Sequence, residues 1–230
     1  MSFGTSTPRF YEAGGGKVPS VTTILSVLDK PALIFWAINC SHDFVLDKVK
    51  DYQAVKIETL QKLLKASRFA HRNLSEKAMA IGTETHNAIE AHLKGKKVAD
   101  LSEPAQRAFA AYLWWEAEVG LEVLSVEEEV AGDGYAGRTD LVARVNGVTT
   151  LVDFKTSKGA KMYDTYPMQL AAYRKALEKK GYGIEAMAIL GLDKETGENQ
   201  YHSIPEDDYE NLYEAFACLA RFWSLTRGVN

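Results

Sequence analysis

The sequence predicts an α+β protein, helical in its first half and built on a sheet in its second. Three observations carry this. Apolar residues at helical spacing, with helix start and stop signals, mark successive segments from residue 20 to Gly120. After Gly120 the pattern changes to short β-branched and apolar runs. Among these, Asn146-Gly147 is flanked by apolar alternation, the pattern of a two-residue type I′ hairpin turn.

Taken in order, Ser20 caps a helix carrying Val21, Ile24, Leu25 and Leu28 on one face and stopped near Pro31. Helices are expected at 32–50, 52–70, 75–95 and 102–120. "LEVLSVEEEV", the hairpin around Asn146-Gly147 and "IEAMAILGLD" read as strands, with a helix from about Tyr163 to Lys180 between the last two. "KETGEN" turns the chain into the short strand "QYHSI", and Pro205 opens a last helix reaching Thr226. The second half is therefore β-β-β-α-β-β-α, and the chain contains no internal repeat or low-complexity tract. "GGGK" at 14–17 is not a phosphate-binding loop, because Tyr11 stands where the first glycine is needed and Val18 follows the lysine. It reads as a flexible loop.

Composition bounds the function. At 230 residues, 46% hydrophobic and 25% charged, the chain suits one large globular domain. The N-terminal residues lack the apolar core of a signal peptide, and "ALIFWAI" at 32–38 is too short to span a bilayer, so no membrane partner is expected. Cys40 and Cys218 stand far apart without a CxxC, which supports neither an iron–sulfur cluster nor a zinc ribbon and makes a reducing cytoplasm the expected location. A net charge of −4 argues against a broad basic face for duplex DNA. It leaves room for a local one: Lys48, Lys50, Lys56, Lys62, Lys65, Arg68, His71 and Arg72 make 48–72 the most basic stretch. Solvated helix faces are the plainer reading of the same run.

The hairpin holds the chemistry. If Asn146-Gly147 closes it, facing residues have numbers that sum to 293, which sets Leu141 against Val152 and Asp140 against Asp153. Facing like charges destabilise a sheet. Lys155 follows Asp153 by two and shares its face, whereas Leu141, Ala143, Val145, Val152 and Phe154 take the opposite, core-facing side. Two readings stand: a surface hairpin whose charges neutralise one another, or paired carboxylates awaiting a hard divalent cation such as Mg²⁺. Elsewhere, His86 shares a helical stripe with Ala78, Gly82, Ile89 and Leu93 and so points toward the core. Gln169 and Tyr173 are i, i+4 neighbours on the helix after the hairpin. In "SVEEEV", Glu127 and Glu129 are expected on one strand face and Glu128 on the other.

An inward histidine in "IGTETHNAIEAHL", an acidic strand, "GRTD", "DFK" and "QLAAY", in that order, resemble the RecB-like exonuclease branch of the PD-(D/E)XK nuclease superfamily. With "VPSVTTIL" near the start, the chain is further similar to the mitochondrial genome maintenance exonuclease and its phage and bacterial relatives, over roughly 18–204. The stretch 40–72 matches no family motif. The resemblance implies a restriction-endonuclease-like core with a mixed central sheet flanked by helices, in a single domain. About 18–120 would cover a DNA channel and 121–230 would carry catalysis. It implies His86, Asp140, Asp153 and the Phe154 carbonyl as ligands of Mg²⁺ or Mn²⁺, and Lys155 as the catalytic lysine. By the same resemblance Glu127 would be the acid of the preceding strand, with Glu129 as the fallback, and Gln169 and Tyr173 would be the positioning residues of the following helix. The expected activity is a metal-dependent DNA exonuclease preferring single-stranded ends, in a bacterial or phage-infected cytoplasm. A flap or branched-DNA endonuclease, or a non-catalytic DNA-end-binding module, are the alternatives.

Overall fold

The computed structural model describes residues 8–28, 30–160 and 162–227; residues 1–7, part of the N-terminal stretch on which the signal-peptide expectation was made, lie outside the described residues. The chain divides into two compact units, Leu28–Ala80 in one, with Thr5–Val27 and Ile81–Asn230 in the other.

The described chain opens with an antiparallel pair, Phe10–Ala13 (β1) and Gly16–Pro19 (β2). Gly14 and Gly15, both at positive φ, make the turn. The glycine run is thus a hairpin turn rather than a flexible loop, because consecutive left-handed residues cost glycine nothing. Ser20 caps Val21–Leu25 (α1) as expected, its Oγ accepting from the Thr23 amide at 3.0 Å. Val21, Ile24 and Leu25 are buried, and Leu28 falls beyond the helix.

In the smaller unit, Pro31–Val49 (α2) and Ile57–Ser67 (α3) are tied by the Ser41 hydroxyl, which donates to the Ser67 carbonyl at 2.6 Å. Ala70–Leu93 (α4) starts earlier than the sequence suggests and runs on into the larger unit. Lys62, Lys65 and Arg68 are exposed and have no ion-pair partner among the described residues.

The larger unit holds Glu103–Glu118 (α5) and a five-stranded sheet. Its strands, in chain order, are Leu121–Val126 (β3), Leu141–Val145 (β6), Val148–Ser157 (β7), Ala186–Asp193 (β8) and Asn199–Ile204 (β9), and they lie side by side in that order. All neighbours are antiparallel except β7 and β8, which are parallel and joined by the crossover helix Thr165–Lys179 (α6); Tyr209–Arg227 (α7) ends the chain. The β6–β7 register is the one read from the sequence, with Leu141 facing Val152 through to Val145 facing Val148. Asn146 and Gly147 both have positive φ, as a type I′ turn requires.

Two expectations need correction. Glu129–Gly132 (β4) and Tyr135–Arg138 (β5) form an extra two-stranded sheet between β3 and β6, so the second half is not simply β-β-β-α-β-β-α. Asp133-Gly134, an Asp-Gly turn, was the signal for it. Nor is the central hairpin a surface hairpin, the first of the two readings of its charges. Leu141, Ala143, Val145, Val152 and Phe154 do pack on one side with Ile89 of α4 and Tyr112 and Trp115 of α5. Val142 and Leu151 pack on the other, with Leu170 and Leu177 of α6 and Phe216 of α7. A parallel neighbour and its crossover helix cover what the sequence alternation suggested was an open face.

Arg174 clamps this second layer. Its guanidinium, 8% exposed, forks onto Glu206 at 2.6 and 2.8 Å, reaches Glu178 at 2.9 Å and lies over the Tyr209 ring at 4.0 Å. Asp193 closes the end of β8, accepting backbone N–H bonds from Glu195, Thr196 and Gly159 at 2.7, 3.1 and 2.7 Å. Burial alone would raise its pKa, but these donors hold it below the usual carboxylate value. A depressed pKa adds stability that is present above the unfolded value and lost as pH falls through the folded one. Asp193→Asn should therefore cost about 1.5–3 kcal/mol near neutrality. Urea titrations at stepped pH should show the gap to wild type closing below about pH 4.

Candidate active site

The site arises where two strands stop matching in length. β6 begins at Leu141 and pairs with β7 only as far as Val152, so residues 153–157 of β7 are laddered by β8 alone. Asp140, the residue just before β6, substitutes for the missing strand: its Oδ2 accepts the Phe154 amide at 2.7 Å. On the same edge the Phe154 carbonyl meets His86 Nε2 at 3.1 Å, and His86 Nδ1 lies 3.4 Å from Asp140 Oδ1. Buried backbone groups need partners. Here both of Phe154's are met by side chains rather than by a strand.

Glu127 enters by a break in the chain. β3 bulges between Val123 and Ser125 and ends at Val126, and Glu127 then takes φ 57, a left-handed conformation that costs a non-glycine residue about 1–2 kcal/mol. Its amide donates to the Asp140 carbonyl at 3.0 Å, and the Thr139 amide to the Glu128 carbonyl at 2.9 Å. The kink corrects the expectation that Glu127 and Glu129 share a strand face. Glu129 is exposed in β4 opposite Arg138, and Glu128 is held by Lys180 and Ser125. Glu127 instead joins His86 and Asp140, with ligand atoms from all three within 4.8 Å of one another. Arg138 Nε lies 2.5 Å from Glu127 Oε2.

Asp153 and Lys155 project toward α6. Asp153 Oδ1 accepts from Gln169 Nε2 at 3.0 Å, Lys155 Nζ donates to Gln169 Oε1 at 3.1 Å, and Gln169 Nε2 also reaches the Tyr173 hydroxyl at 3.3 Å. Lys155 Nζ is 2.5 Å from Asp153 Oδ2, an ion pair that gives the second carboxylate oxygen a cationic partner. Asp153 lies outside the tight group of His86, Glu127 and Asp140.

Electrostatics separate the acids. Burial, reinforced by Asp140, raises the Asp153 pKa, whereas Asp140 is lowered because His86 and Lys155 outweigh its burial. Burial and Asp140 raise Glu127, with Arg138 pulling the other way. Lys155 is raised, since Asp153 and Asp140 overcome the cost of burying its charge. Carboxylates drawn as close as those of Glu127 and Asp140 are relieved by a cation. The donor set, carboxylates and one imidazole, suits a hard or borderline divalent ion.

A model of the PD-(D/E)XK nuclease superfamily matches residues 48–227. The chain belongs to that superfamily. Among solved structures it is similar to a protein from Eubacterium rectale provisionally described as an exonuclease, at 13% identity, TM-score 0.48, covering 66% of this chain and 69% of that one. It is also similar to the protein SSO0001, at 16% identity, TM-score 0.34, covering 80% and 86%. A search of curated proteins gives no match. No described helix is long and apolar enough to cross a membrane.

The sequence reading passed over Arg138, although it lies inside "GRTD", and Tyr166, whose ring sits 4.7 Å from Lys155 Nζ and which precedes Gln169 by three residues on the same helix. It also passed over Gly137, where a Cβ would stand 2.5 Å from Tyr173 Cε1. Gly137→Ala should displace the ring that backs Gln169 and destabilise the protein by about 1–3 kcal/mol. Urea denaturation is the measurement, with Ala136→Gly, one residue earlier in β5, as the comparison.

Proposed function

We propose that this nuclease is a metal-dependent DNA exonuclease that works from free single-stranded ends. The observation that carries the reading is the convergence of His86, Glu127 and Asp140 within 4.8 Å, beside a lysine bound to both Asp153 and Gln169. His86, Glu127, Asp140 and Asp153 would hold Mg²⁺ or Mn²⁺, which supplies the charge that polarises a phosphodiester and lowers the pKa of an attacking water. Lys155 offers an ammonium to the negative charge that grows on the phosphoryl oxygens, its direction fixed by Gln169, whose amide Tyr173 steadies in turn. The preference for single strands draws on the acidic net charge combined with the exposed Lys62, Lys65 and Arg68, which have no ion-pair partner among the described residues, a local rather than a global basic surface.

Mg²⁺ or Mn²⁺ should raise the melting temperature, by up to about 2.7 kcal/mol of added stability at a hundredfold excess over Kd. Asp140→Ala should remove that shift; a calorimetric response like the wild type's would take Asp140 out of the metal site.

Lys155→Ala should lower cleavage by roughly a hundredfold or more, while metal-free DNA affinity, spread over many phosphate contacts, changes only a fewfold. Run in the same assay, free-ended single strands should be degraded, blunt duplexes should be poor substrates and closed single-stranded circles should resist. Efficient cutting of the circles would favour the structure-specific endonuclease reading. Charge reversal at Lys62, Lys65 and Arg68 should flatten the salt dependence of binding.

A further inference from the structure

Lys155 carries an aromatic ladder that the acidic cluster does not require. Tyr166 lies under its ammonium, 4.7 Å from ring centroid to Nζ, and meets Tyr163 edge to face, with centroids 5.3 Å apart and planes at 76°. The Tyr166 amide donates to the Tyr163 carbonyl at 2.9 Å, which fixes the spacing of the two residues at the entry to α6. Packing accounts for Tyr166, which is partly buried against the core shared by α6 and α7. It does not account for Tyr163. Tyr163 is 49% exposed and its ring partner is Tyr166; Met162 beside it is 39% exposed. An edge-to-face contact occupies at most one face of a ring, so Tyr163 keeps a face open.

Ammonium, ring, ring is the order of groups that a nucleotide would meet, phosphate first and base next. We propose that Tyr163, braced by Tyr166, is a nucleobase platform on which the base beside the phosphate contacted by Lys155 stacks. The proposal rests on the nuclease reading of the same site and adds a base subsite to it. Every base has a π-face, so such a platform grips the strand without selecting sequence.

The test is fluorescence anisotropy of the full chain in EDTA, with single-stranded oligonucleotides carrying one abasic site moved stepwise through the terminal nucleotides. Wild type should lose about fivefold or more in affinity when the abasic site falls at one position. Tyr163→Ala should lose the same factor on intact strands and nothing further on that abasic strand. Tyr166→Phe, which keeps the ring, should bind like wild type. The platform is overturned if Tyr163→Ala binds intact strands as tightly as wild type, or if its loss is the same wherever the abasic site stands. Cleavage by wild type with Mn²⁺ is scored separately. Its absence, with the abasic dependence intact, would overturn the catalytic reading and leave the base platform standing.

Discussion

The side of the site formed by His86, Glu127 and Asp140 depends on one hydrogen bond, from the Phe154 amide to Asp140 Oδ2. β7 runs on past the start of β6, and a strand edge left bare inside a packed core would strand its polar groups at a cost of about 1–3 kcal/mol each. Asp140 stands where the next ladder partner would have been, and His86 takes the carbonyl side. The fold's need to satisfy this edge is thus met by the two side chains that also offer oxygen and nitrogen to a cation. The opened edge leaves a gap in which Glu127 fits, brought there by the backbone bond from its amide to Asp140.

The other half of the site belongs to the crossover. Because β7 and β8 are parallel, the chain between them must return across the sheet, and α6 does so on the side toward which Asp153 and Lys155 point. Gln169 serves as a two-ended spacer, its amide nitrogen on the acid and its oxygen on the lysine. The geometry holds only while α6 stays seated, which is the work of Leu170 and Leu177 in the core and of the Arg174 clamp onto Glu206. A buried ion cluster is therefore carried by a packed apolar layer rather than by its own attractions, in keeping with the high cost of burying charge.

How much of this was legible in the sequence follows from which constraints are local. The β6–β7 register was readable to the residue, because a two-residue turn leaves it no freedom and Asn146-Gly147 names the turn. The apolar side of the hairpin and the helix order were readable from periodicity. What lay across the sheet was not: alternation in β6 and β7 looks the same whether the second face meets water or α6. The β4–β5 hairpin was signalled by Asp133-Gly134 and hidden by strands only four residues long. Glu127 came from the family resemblance, and the strand face it was expected to share with Glu129 does not exist. Strand alternation cannot express a left-handed residue, and nothing local in "SVEEEV" says which of three glutamates will break the strand.

The same break has a bearing on self-association. β3 is an outer strand of the sheet and carries half-exposed Val123 and Leu124, the kind of edge on which another chain could lay a strand of its own. A flat template is needed for that addition, and this one is bulged between Val123 and Ser125 and turned aside at Glu127. Stacking a neighbour there would mean straightening the segment and withdrawing Glu127 from His86 and Asp140. The kink that brings a carboxylate to the site therefore also guards the protein against edge-to-edge aggregation, and a substitution that relaxed it would surrender both at once.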